Sequence, residues 1–197
     1  MPRQPRYEAP GALHHVVAKG NAGEAIVRND VDRRGFITRL GRAVVRHRWE
    51  CMAYCLLDTH FHLVLRTPEP NLGEGMRWLN STYAQDLNYR HGRTGHVFGG
   101  RYYSAQLYSD DHLVAALVYV YLNPVRAGIV ELPHVWPWSS YAATVGRDRA
   151  PQFVDIDSVL ELFGPERTVA RARLLDVVAE TLELDRVRRV RGQTLRV

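Results

Sequence analysis

Two apolar runs meet at a polar pair in Ala53–Tyr54–Cys55–Leu56–Leu57–Asp58–Thr59–His60–Phe61–His62–Leu63–Val64–Leu65–Arg66. That pattern predicts a β-hairpin with its tight turn at Asp58–Thr59. Side chains alternate along a strand, so His60 and His62 leave one face while Phe61, Leu63 and Leu65 leave the other. One face is therefore apolar and the other begins with two imidazoles. Two neutral imidazoles ~7 Å apart along a strand can hold one divalent ion. A bare His-x-His is equally a pair of partly exposed strand histidines, so its meaning depends on what lies downstream.

The downstream partner is Leu117–Val118–Tyr119–Val120–Tyr121–Leu122–Asn123–Pro124. With Asp110 or Asp111 as N-cap and Pro124 as the stop, this predicts a helix of about twelve residues from position 111. At ~100° per residue, Leu113, Leu117 and Val120 form its apolar stripe. Tyr119 and Asn123 are four apart and stack on one flank of that stripe. Tyr121 is ~160° away from Tyr119 on the same wheel. If one tyrosine works with Asn123, it is Tyr119.

His-x-His followed by a helix carrying Tyr-Val-x-x-Asn-Pro and Val125–Arg126–Ala127–Gly128 resembles the single-tyrosine HUH transposases, and among them the REP-associated tyrosine transposases. The similarity covers most of residues 7–145. It takes in Leu13–His14–His15–Val16–Val17–Ala18–Lys19–Gly20–Asn21, Pro68–Glu69–Pro70–Asn71–Leu72, Arg90–His91–Gly92–Arg93–Thr94–Gly95–His96–Val97–Phe98–Gly99–Gly100–Arg101–Tyr102 and Trp136–Pro137–Trp138–Ser139–Ser140–Tyr141. Each piece is short; their order and spacing together are specific. The family often carries a Met-Pro-Asn or Met-Ser-Asn style turn before its first metal histidine, where this chain has Leu57–Asp58–Thr59. The departure touches the turn and leaves the histidines in place.

The resemblance implies a metal-dependent single-stranded DNA endonuclease and strand transferase, with Tyr119 as nucleophile and a 5′-phosphotyrosine intermediate. It implies a divalent ion, Mg2+ or Mn2+, on His60, His62 and Asn123. Two histidines are softer donors than magnesium prefers, which favours manganese in the test tube. The implied substrate is single-stranded DNA folded as hairpin repeats. Two rival classes remain open: a non-catalytic nucleic-acid-binding module on a ferredoxin-like sheet, and a metal-dependent hydrolase that activates water and makes no covalent link.

The remaining chain supports a nucleic-acid partner. The net charge is +5, and Lys19 is the only lysine among 26 Lys and Arg residues. Arginine forks fit phosphates and stack on bases, although an arginine-rich solvated surface has the same composition. His15, Lys19, Arg66, Arg93, Arg101, Tyr102 and Arg126 are candidate DNA contacts. Of His14 and His15, which face opposite ways on the first strand, one shares the face of His60 and His62. Glycines at 92, 95, 99 and 100 let backbone approach a ligand closely. Cys51 and Cys55 lie ~13 Å apart on one strand, too far for a disulfide. No apolar run suits a membrane span and no signal-peptide pattern is present, so the expected location is the cytoplasm, on the nucleoid when bound to DNA. The expected assembly is a monomer or homodimer.

Taken in order, the chain predicts a loose basic arm over 1–10 and a strand over Leu13–Lys19. A helix capped by Asn29 or Asp30 follows, then the hairpin, a helix over Leu72–Arg90, a strand over Tyr102–Tyr108 and the Tyr119 helix. Strand–helix–strand twice is a ferredoxin-like α+β plan: an antiparallel sheet with helices on one face, plus the extra tyrosine helix. Residues 1–145 read as the nuclease domain, and 146–197 as a linker with a basic helical extension ending in Arg186, Arg188, Arg189, Arg191 and Arg196.

Overall fold

The computed structural model describes residues 8–190. Positions 1–7 of the expected basic arm, and Arg191 and Arg196 of the tail, lie outside the described residues. The elements follow the order β1 (Ala12–Lys19), α1 (Asp30–His47), β2 (Glu50–Leu56), β3 (His60–Thr67), α2 (Leu72–His91), β4 (Tyr103–Leu107), α3 (Asp110–Arg126), α4 (Tyr141–Thr144), α5 (Ile156–Glu161) and α6 (Arg167–Val190). The sheet runs β2–β3–β1–β4 with every neighbouring pair antiparallel. This is the βαββαβ ferredoxin-like arrangement, as the order of elements predicts.

Register decides which side chains share a face. Val17 lies opposite His62, Lys19 opposite His60 and His15 opposite Val64. On the other face, Phe61 meets Phe36 of α1 at a ring separation of 4.6 Å, and Phe36 meets Tyr83 of α2 edge-on at 5.2 Å. Phe61, Leu63, Leu65, Leu40, Leu79 and Leu87 are all fully buried. Helices α1 and α2 therefore cover the apolar face, and α3 lies across the face of His60 and His62. The edge strand β2 is covered by the connector after α3: Leu56 N–H donates to Trp138 O at 2.9 Å, and Trp136 Nε1 donates back to Leu56 O at 3.0 Å. That closes an edge otherwise open to pairing with another chain.

Two details of α3 depart from expectation. Its N-cap is Ser109, whose hydroxyl accepts from His112 N–H, because Asp110 and Asp111 already have helical geometry. Pro124 lies inside the helix, which continues to Arg126. Proline keeps a helical φ and removes only one backbone donor; two residues from the helix end, that loss is small. Beyond α3, the buried Leu174, Val178 and Leu182 bring α6 into the same apolar cluster as the sheet, and Arg171 donates to Thr144 O at 3.2 Å. Cys51 and Cys55 are buried free thiols, and burial pushes the Cys51 pKa up to about 12. Among the described residues no helix is long and apolar enough to cross a membrane.

Asp32 ties the start of α1 to the end of α2. Its carboxylate is fully buried and accepts from Arg90 at 2.6 Å, His91 at 2.8 Å and the Arg28 backbone N–H at 2.8 Å. Burial alone would raise its pKa, but the bonds from His91, Arg28 and Arg90 outweigh burial and hold it below the ordinary 3.8. A carboxylate depressed in the folded state contributes its full stability above the unfolded pKa and loses it as pH falls through the folded value. Asp32→Asn should therefore cost about 3 kcal/mol at neutral pH. In denaturant titrations the gap from the parent protein should close as the pH is lowered through the carboxylate range; a gap constant down to pH 2 would show that the charge is not what matters.

Candidate active site

The site forms where α3 crosses the C-terminal half of β1 and the start of β3. Antiparallel pairing sets His15 and His62 on neighbouring strands and on one face. Their rings stack at 5.3 Å and 20°, with His15 Nε2 and His62 Nδ1 sharing a hydrogen bond of 3.1 Å. His60 stands edge-on to His62 at 4.9 Å, and its Nδ1 is bonded to Thr59 Oγ1 at 3.0 Å. Each of the two β3 imidazoles thus has Nδ1 anchored by a neighbour. Each Nε2 is buried with no hydrogen-bond partner among the described residues. Imidazoles that bind metal commonly show this division, with one nitrogen oriented by a partner and the other left as a donor.

Electrostatics keep the rings neutral. Burial lowers the pKa of His15 to about 4. Burial also lowers His60, helped by Lys19 and opposed by the Asn123 side chain. His62 falls well below its ordinary value through burial and through His60, His15 and Lys19. A neutral ring whose Nδ1 donates, His62 to His15 and His60 to Thr59, leaves its lone pair on Nε2.

Helix α3 supplies the rest. Tyr119 is half-buried, and its ring meets both His62 and His15 at 5.5 Å, close to edge-on. Asn123, one turn further on, is buried beside His60. Tyr121 points the other way, into the core, where its ring packs on Tyr141 at 5.0 Å and its hydroxyl meets Thr144 Oγ1 at 3.4 Å. Among the described residues no three His, Cys, Asp or Glu side chains are disposed to hold a metal together. A metal here would take His60, His62 and the Asn123 amide.

In front of Tyr119 lies a cavity of about 800 Å3 walled by His15, Lys19, Asn21, Gly99, Gly100, Arg101 and Tyr103. Its rim is made by strapping the 97–101 loop onto the end of β1: Gly99 N–H donates to Lys19 O at 3.0 Å and Asn21 N–H to Val97 O at 2.9 Å. Gly99 suits a close approach, since a Cβ there would lie a tight 3.2 Å from Gly20 O; Gly100 adopts a φ of +122°, where side chains are strained.

The candidate DNA contacts are distributed unevenly around this cavity. Lys19 and Arg101 are exposed at its rim. His15 faces the site, whereas His14 is buried on the opposite face near Ser104. Arg93 is engaged with Glu24 at 2.7 Å. Arg66 pairs with Glu50 at 2.9 Å, about 20 Å along β3 from His60. Arg126 lies over the Tyr119 ring rather than over open surface. Tyr102 is only 6% exposed and packs on the core side, while Tyr103 is 64% exposed and lines the cavity. The sheet alternation that separates His60 from Phe61 also separates this pair. Tyr103, opposite Val17 in the register, lines the cavity although the candidate contacts name Tyr102; the signal lay in counting alternation from β1 across to β4.

No protein-family model matches the chain. A Haemophilus influenzae protein provisionally named REP-associated tyrosine transposase is 28% identical over 115 residues, which cover 53% of this chain and 65% of that protein. The match thus spans just under two thirds of that relative's length. A solved structure of a REP-associated tyrosine transposase bound to a REP hairpin superposes with a TM-score of 0.62 at 19% identity, covering 80% of this chain and 90% of that one. At that identity the superposition establishes a shared fold. The chain therefore resembles REP-associated tyrosine transposases twice over, in sequence to one of them and in fold to another.

Proposed function

We propose that the chain cleaves and rejoins single-stranded DNA through a covalent tyrosine link. The observation that carries this reading is one convergence. Tyr119 and Asn123 from α3 meet His60 and His62 from β3, and both histidine Nε2 atoms are buried without a partner among the described residues. A nucleic-acid-binding module has no use for that set, and a hydrolase has no need of the tyrosine. The name of the sequence relative, and the REP hairpin bound to the structural neighbour, point to the same class of substrate.

In this reading Tyr119 Oη attacks phosphorus. The bond to the 3′ oxygen breaks, the phenol proton passes to that oxygen, and a 5′-phosphotyrosine and a free 3′-OH result. The phosphotyrosine keeps the bond energy, so a 3′-OH can attack it in turn and restore a phosphodiester without a nucleotide cofactor. His60, His62 and Asn123 would hold Mg2+ or Mn2+, which when bound polarises the scissile phosphate. His15 holds His62 in the orientation that points Nε2 towards the site. Lys19 and Arg101 receive the strand at the cavity rim, and Tyr103 offers a ring on which a base can stack.

Denaturing gels of protein incubated with hairpin-bearing single-stranded DNA should show a covalent adduct. Tyr119→Phe should remove it while the protein still folds and binds DNA. Tyr121→Phe should retain it despite losing about 1 kcal/mol of stability from a buried bond. Adduct surviving in Tyr119→Phe would overturn the nucleophile, and cleavage with no adduct in the parent protein would favour the hydrolase reading.

His60→Ala and His62→Ala should each abolish cleavage that EDTA also abolishes, with circular dichroism unchanged. Full activity in both variants would remove the metal assignment. For binding, Lys19→Ala and Arg101→Ala should each reduce the slope of log Kd against log salt by about 1, whereas Arg66→Ala should leave it in place. Equal slopes in all three would place the strand elsewhere.

A further inference from the structure

The C-terminal helix reaches the candidate nucleophile through an ion pair on Arg126. Arg126 is seven residues beyond Tyr119, two turns along α3 and on the same side of it. Its guanidinium carbon lies 5.0 Å from the centre of the Tyr119 ring. Arg126 Nε donates at 2.7 Å to Asp185 Oδ2 on α6, and Asp185 is only 4% exposed. Between the two helices, Val177 and Thr181 of α6 line a cleft with Tyr119 and Arg126. A buried carboxylate is costly unless paired, so a chain that places Asp185 there constrains the arginine strongly. A guanidinium held at both ends, by a carboxylate and by a ring face, loses most of its rotamer freedom.

We propose that Asp185 is a positioning residue for Tyr119: through Arg126 it holds the phenol ring against His15 and His62, so that the C-terminal helix completes the site. This rests on the reading of Tyr119 as nucleophile, but the ring placement itself can be tested without activity. Arg126 lies over the Tyr119 ring, and the bond to Asp185 fixes Arg126 to α6. Such a brace matters because Tyr119 is only half-buried, and an exposed tyrosine otherwise samples several rotamers. It also assigns part of the 146–197 extension a task within the site.

The test uses the full chain with 3-fluorotyrosine at position 119. Without DNA, the parent protein should give one sharp 19F resonance. Asp185→Asn, which keeps the shape and removes the charge, should shift or broaden that resonance. In the protein with its natural tyrosine, Asp185→Asn should slow adduct formation by ~10-fold to ~100-fold with the Kd for single-stranded DNA unchanged. If Asp185→Asn fails to fold, Arg126→Lys serves, since it keeps a cation near Asp185 and removes the planar group over the ring; it should move the same resonance. An unmoved 19F signal in a folded variant would overturn the proposal. A moved signal in the variant, with no adduct formed even by the parent protein, would uphold the positioning and overturn the nuclease reading instead.

Discussion

The pairing of β1 with β3 is the constraint on which the rest of this structure depends. These are the two central strands, and their register places Val17 across from His62 and Lys19 across from His60. A slip of one residue would turn every side chain of a strand to the opposite face. Phe61 would then leave Phe36 and the α1–α2 core, and two imidazoles would be buried among leucines. Burial of Phe61, Leu63 and Leu65 therefore does more than hold the domain together. It also sets the direction in which His60 and His62 point.

The site is built by using both faces of one sheet. The face under α1 and α2 is dry and apolar, and supplies the rigidity. The face under α3 is mixed: Val17 and Val64 pack, while His15, His60, His62 and Asn123 remain polar in a buried setting. Burying polar groups is unfavourable unless each is bonded or given a function. Here the two Nδ1 atoms are bonded, and neither Nε2 has a hydrogen-bond partner within normal geometry among the described residues. The unbonded half of each ring is what a metal ion would satisfy, and the bonded half is what would keep it aimed. Neutrality follows from the same burial, since a dry site with Lys19 nearby disfavours a second and third positive charge.

Helix α3 joins the two halves of the chain. Its apolar stripe, with Leu113, Leu117 and Val120 fully or almost fully buried, docks it on the sheet. One flank presents Tyr119 and Asn123 to the histidines, and Tyr121 on the opposite flank anchors it to Tyr141 and Thr144. The outer side is clasped by α6 through Leu174, Val178, Leu182 and Asp185. Two tyrosines of one helix thus take opposite roles by virtue of an angle, and the helix that covers the outer side also meets the one that faces the cavity.

Much of this was legible in the sequence because it is periodic. Period two in β3 separated the histidines from Phe61, period 3.6 in α3 separated Tyr119 from Tyr121, and turn and cap residues bounded the elements to within a few positions. What periodicity does not carry is the partner of each element. The choice of His15 over His14 depends on the β1–β3 register. The choice of Tyr103 over Tyr102 depends on the β1–β4 register. The ion pairs that engage Arg66 and Arg93 join residues 16 and 69 positions apart. The contact of Asp185 with Arg126 spans 59 positions and has no local signature at all. Local chemistry determined which faces exist, because side-chain direction follows from backbone geometry residue by residue. Only the tertiary structure decided which faces meet, because that depends on how separate faces bury one another.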